Sequence, residues 1–259
     1  MQALILPARR GWRWLAAGFA LFRRNPPLLT LLVMGYWLLL ALVNSIPLLG
    51  GVVSYLAMPI LSVVLMNACR VLDRRLAPTP NALTSGLRAH ASSLVVLGGV
   101  YFTATLAILG LTTLVDGGTL FNLMFTGAQV SDDALETREF FLATQIALIL
   151  LVPLVMAYWF APMLVAWHGI GAGKALFFSF VACLRNWRVF LVSSLSVALW
   201  SALLPGLVMG LMAAIFPGSA SFMAAVLTAP LLLVLAPSLV ASFYVGYREI
   251  LAEGDGPGA

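Results

Sequence analysis

Residues 140–167 read FFLATQIALILLVPLVMAYWFAPMLVAW, a run without one charged side chain. About 20 helical residues cross ~30 Å of hydrocarbon, so this stretch spans a bilayer with length to spare. It lacks the period-two alternation of a barrel strand, and a lone segment in lipid satisfies its backbone groups only as a helix. Five other stretches share its character: residues 28–46, 52–72, 92–115, 189–216 and 222–247. The expected fold class is all-α, a polytopic membrane bundle of six transmembrane helices. Pro59, Pro153, Pro162, Pro205, Pro230 and Pro237 fall inside these spans and predict kinks.

Composition agrees. The chain is 62% hydrophobic and 9% charged, with a mean hydropathy of +1.05. A soluble domain carries about 45–50% apolar and about 25% charged residues, so lipid must cover much of this surface. No polar linker divides the chain, which is read as a single integral membrane domain over residues 1–259. The net charge of +5 does not point to nucleic acid, because the charges sit at helix ends and not in one patch. Cys69 and Cys183 have no metal-ligand spacing and read as small apolar fillers. The basic stretch that opens the chain lacks a following small-residue cleavage site, so the apolar run after it is expected to stay as the first span.

Orientation follows from Arg and Lys. Thirteen of the fourteen basic residues fall on one side of the expected bundle and only Arg138 on the other. The opposite side carries Asp116, Asp132, Asp133, Glu136 and Glu139 in one loop. The basic side is expected to face the cytoplasm, and six spans then place both termini there.

The pattern suggests one unit repeated three times, over residues 12–73, 81–168 and 174–250, each a short amphipathic helix followed by a transmembrane hairpin. In the first amphipathic segment Trp12, Leu15, Phe19 and Phe22 form an apolar stripe; a weaker one covers residues 81–90; a third covers residues 174–188 with Phe177, Val181 and Leu184 together. Such helices are expected in the headgroup layer, apolar stripe down, with Arg13, Arg23, Arg24, Lys174, Arg185 and Arg188 reaching anionic lipid. Ala161-Pro162-Met163-Leu164-Val165-Ala166 matches Ala236-Pro237-Ser238-Leu239-Val240-Ala241, and Met58-Pro59-Ile60-Leu61 holds the corresponding place in the first unit.

The phrase Phe160-Ala161-Pro162-Met163-Leu164-Val165-Ala166, with Ser179-Phe180 and Arg185-Asn186-Trp187, resembles uncharacterised six-helix inner-membrane proteins of proteobacteria. More distantly it is similar to the membrane domain fused to some glycerophosphoryl diester phosphodiesterases, whose catalytic domain this chain lacks. The resemblance implies a bundle in a bacterial inner membrane and brings no catalytic residue.

Little in the chain suggests catalysis. It has no His-Glu-x-x-His zinc motif, no Gly-x-Ser-x-Gly elbow and no carboxylate pair within a span. Gly169-Ile170-Gly171-Ala172-Gly173-Lys174-Ala175 looks like a phosphate loop, but His168 replaces its first glycine and Ala175 its Ser or Thr, so it reads as a turn. His90 and His168 have no companions at metal-ligand spacing. No catalytic, cofactor-binding or metal residue is expected, and the chain is read as non-enzymatic. The spans hold no ionisable residue away from their ends, which argues against coupling through intramembrane carboxylates. Neutral polar groups remain: Asn67 and Gln145 are the candidates for a polar cavity, while Ser193, Ser194, Ser196 and Ser201 read as packing residues, as does the Gly206/Gly210 pair. Two functions stay open. One is a permease or lipid-handling protein for a neutral or amphipathic molecule, with membrane lipids as partners. The other is an accessory or assembly partner of other envelope proteins.

Overall fold

The computed structural model describes residues 4–46, 49–126, 131–216, 226, 228 and 230–251. Among these residues every regular element is helical. Helix α1 (Arg10–Phe22) precedes the long α2 (Pro26–Asn44) and α3 (Gly50–Asp73). A single turn, α4 (Pro80–Leu83), leads into α5 (Leu87–Asp116), and the short α6 (Thr119–Phe121) and α7 (Asp132–Leu135) follow. Then come α8 (Arg138–Trp159), α9 (Ala161–His168), α10 (Ala172–Arg185), α11 (Trp187–Ala198), α12 (Leu204–Ile215) and α13 (Ala236–Ile250). Widened π-helical turns at Leu199–Leu203 and Leu231–Leu235 precede α12 and α13.

Among the described residues, five helices or joined helices are long and apolar enough to cross a membrane: Pro26–Asn44, Gly50–Asp73, Pro80–Asp116, Arg138–His168 and Trp187–Met212. They match the first five expected spans. Of the sixth, residues 222–225, 227 and 229 lie outside the described residues, and the remainder contains the Leu231–Leu235 turn and α13.

Local chemistry explains where the helices start and break. Asn25 accepts the Leu28 N–H at 3.2 Å, and the prolines of the first turn need no acceptor, so α2 starts cleanly. Thr137 caps α8 in the same way, through the Phe140 N–H. At Phe160 the long fourth span breaks, because Pro162 follows. Ser179 of α10 is inserted there: the Phe160 N–H donates to its Oγ at 2.9 Å, and that hydroxyl donates to the Met156 carbonyl at 2.8 Å. One side chain thus replaces the lost i→i−4 bond. Pro237 has no N–H for the Leu233 carbonyl, and Thr30 of α2 supplies the missing donor at 2.9 Å.

The expected amphipathic helices differ from the structure in instructive ways. The protein-facing stripe of α1 is Gly11, Trp14, Gly18, Leu21 and Phe22, whereas Trp12 and Phe19 point outward. A Cβ added at Gly11 would lie 2.3 Å from the Val189 carbonyl, and one at Gly18 would lie 2.5 Å from the Ser238 carbonyl. Glycine lets the backbones of α11 and α13 approach this face, so the small stripe packs inward and the bulky one meets the surroundings. Helix α10 behaves alike: Ala175, Ser179, Ala182 and Cys183 are buried, while Phe177 and Leu184 are exposed. Residues 81–90 do not form one helix. Gly86, at φ 78°, separates α4 from α5 and sits where a Cβ would meet the Ala166 carbonyl at 2.2 Å, and His90 interrupts the first turns of α5.

Candidate functional site

The core lies toward the basic end of the bundle and is rich in aromatic rings. Phe160 packs against Phe190, Phe243 and Tyr247, with ring centroids 5.6–6.0 Å apart. Beside this cluster opens a cavity of about 730 Å³. One wall is a continuous stripe of small residues on α11 and the turn after it: Ser193, Ser194, Val197, Ala198, Ser201 and Ala202. Val33, Tyr36 and Trp37 of α2 form another wall, and residues of α3 and α13 complete it. No lining residue is charged. A cavity of this size and lining suits a mostly apolar molecule with a few hydroxyl-bonding atoms.

Polar contacts tie the helix ends together at the basic end. Asp73, at the end of α3, accepts from the Tyr244 hydroxyl at 3.2 Å and pairs with Arg248 of α13. Arg24 donates to the Leu72 and Asp73 carbonyls at 2.8 and 2.9 Å, covering orphan carbonyls of α3. Glu249 accepts the Trp14 indole N–H at 3.1 Å and lies 3.5 Å from Arg10. Asn186 is buried at 1% exposure and holds the opening segment, accepting from the Leu6 N–H and donating to the Leu4 carbonyl, both at 2.9 Å. His168 and Tyr247 meet at 2.9 Å through Nε2 and the hydroxyl.

The residues singled out from the sequence scatter. Asn67 is buried, but its amide donates to the Leu83 and Ser85 carbonyls at 2.9 Å and accepts the Trp167 indole N–H at 2.7 Å. Its amide clamps α4 and the residues after it against α9, and Asn67 lines a small recess of about 170 Å³ with Arg70, Arg74 and Ser85, apart from the larger cavity. Gln145 is exposed on α8 and also lies apart from that cavity. Arg13, Arg23, Lys174, Arg185 and Arg188 are exposed, as headgroup contacts require. Arg24 is instead engaged with the end of α3. Of the serines read as packing, Ser193, Ser194 and Ser201 line the cavity, and Ser196 is buried with its hydroxyl on the Val192 carbonyl. The lining serines Ser193, Ser194 and Ser201 stand one, seven and eight residues apart, on one side of α11 and its following turn, and only the facing helices turn that side into a wall. Among the described residues, nothing lies within 4 Å of a Cβ added at Gly206 or Gly210, and both glycines are exposed.

A bundle of apolar helices with charge only at its ends defines an integral, multi-pass α-helical membrane protein. The chain is 38% identical to a protein of Burkholderia thailandensis named a probable inner membrane protein, over 96% of this chain and 93% of that one. It belongs to that protein's family and is a multi-pass inner-membrane protein. No protein-family model matches the chain, and no solved structure does. The likeness to phosphodiesterase membrane domains finds no support in these comparisons.

Proposed function

We propose that this protein takes a neutral or amphipathic molecule from the bilayer into the cavity beside α11, as a permease or lipid-handling protein and without catalysing a reaction. The supporting observation is the 730 Å³ cavity itself, uncharged, with serine hydroxyls on one wall and Tyr36, Trp37, Trp159 and Phe243 elsewhere around it. Aromatic and aliphatic walls remove an acyl or ring surface from contact with other lipids, while hydroxyls serve a neutral head. The basic end faces the cytoplasm, a sixth span ends in α13, and the three units are related by a repeat. A proline opens or interrupts the later helix of each unit, at Pro59, Pro162 and Pro237.

Native mass spectrometry of protein released gently from its membrane tests this role. A stoichiometric neutral or zwitterionic lipid is expected, and Ser194→Trp together with Ala198→Trp should remove it by filling the cavity. Equal retention by both proteins would sink the proposal. A second reading, an accessory partner, is favoured by the exposed Gly206/Gly210 face of α12, which admits a close-approaching helix. A stoichiometric protein companion with no retained lipid would favour it.

A further inference from the structure

A second recess, of about 490 Å³, lies on the outer side of α1. Trp12, Leu15 and Phe19 form one side, and Trp200, Val234 and Leu235 the other. It shares no lining residue with the cavity beside α11. Its far side is built from the two widened turns before Pro205 and Pro237, where a helix spreads and exposes more of its flank. Trp12 and Trp200 are each about half exposed, at 48% and 46%.

The α1 side of the groove does not end in an apolar residue. Positions 12, 16, 19 and 23 follow one another along a single helix face, and position 23 is arginine. The exposed Arg23 guanidinium lies over the Phe19 ring, 6.0 Å from its centroid. A groove-lining ring therefore holds a cation at the groove's end. Helix α1 is tied to the basic end at both of its own ends, by the Arg10–Glu249 and Arg24–Asp73 contacts, so the groove begins at the layer where phosphates sit.

We propose that this groove binds one anionic phospholipid, with an acyl chain between Trp12, Phe19 and Trp200 and the phosphate on Arg23. An uncharged or zwitterionic lipid offers the same chain but less net attraction to the guanidinium. The site stands apart from the cavity beside α11 and does not depend on its role.

The test titrates detergent-purified protein with dioleoyl phosphatidylglycerol and, separately, dioleoyl phosphatidylcholine, and counts retained lipid by native mass spectrometry. One phosphatidylglycerol is expected to be held, roughly five-fold more tightly than phosphatidylcholine. Arg23→Gln should bring the two lipids to parity. Ala16→Trp, at an exposed groove position, should lose the phosphatidylglycerol, and Leu114→Trp, at an exposed position outside both recesses, should leave its retention unchanged. An undiminished preference for phosphatidylglycerol in Arg23→Gln overturns the proposal. So does unchanged phosphatidylglycerol retention in Ala16→Trp, or its loss in Leu114→Trp.

Discussion

Ser179 does with one hydroxyl what the backbone cannot do at Phe160, accepting the freed N–H and passing a hydrogen bond on to Met156. Removing it leaves both backbone groups buried and unpaired, which costs about 1–3 kcal/mol. Ser179→Ala should therefore lower the thermal unfolding midpoint in detergent; an unchanged midpoint would mean the helix break is not held this way. Cys183 lies one turn further along the same buried stripe. Burial pushes its thiol up to about 12, only partly offset by a hydrogen bond with Ser179. The raised value means that folding opposes ionisation. The effect on stability is absent below the unfolded value near 8.5 and grows unfavourable as pH rises from there toward 12. At pH 8 the native protein should resist maleimide at Cys183 until denatured, and rapid labelling would contradict the burial. Residue types alone could mark Asn67 as polar and intramembrane, but not that Leu83, Ser85 and Trp167 consume its hydrogen bonds. That is tertiary information.

Among the helices, α1 shows most clearly what periodicity can and cannot say. Its sequence holds two stripes, one of large apolar residues and one containing Gly11, Trp14 and Gly18, and a hydrophobic pattern favours the first. Close approach of α11 and α13 selects the second, because dispersion contacts in lipid reward proximity more than bulk. Gly18→Ala should cost about 1–3 kcal/mol, since the added methyl meets backbone that cannot turn aside. Gly206→Ala, with nothing within 4 Å among the described residues, should not lower the unfolding midpoint. Equal effects of the two, read as unfolding midpoints, would refute this packing. Span positions were legible to within a few residues, as residues 28–46 against Pro26–Asn44 show. The breaks at Phe160 and Leu199–Leu203 were legible only as prolines nearby, because their geometry depends on which neighbour offers a replacement hydrogen bond.

For the molecule as a whole, the charge asymmetry makes a prediction that packing does not. Cys69 and Cys183 are both buried, so an added surface cysteine reports alone. In intact spheroplasts a membrane-impermeant maleimide should label Ser131→Cys and not Arg75→Cys; the reverse pattern would invert the orientation. The fold class was legible because lipid demands long apolar helices and places charge at their ends. The cavity was not, because it exists only between α11 and helices far away in sequence.

Closure between distant parts of the chain also constrains biogenesis. The glycine face of α1 is covered by α11 and α13, and Leu4 and Leu6 are held by Asn186 and Ile250. The ribosome delivers residues 4–22 well before the helices that cover them. Until residues 187–198 are made, the glycine face of α1 has no covering helix. A chain halted before residue 187 therefore leaves that glycine face without either of its covering helices.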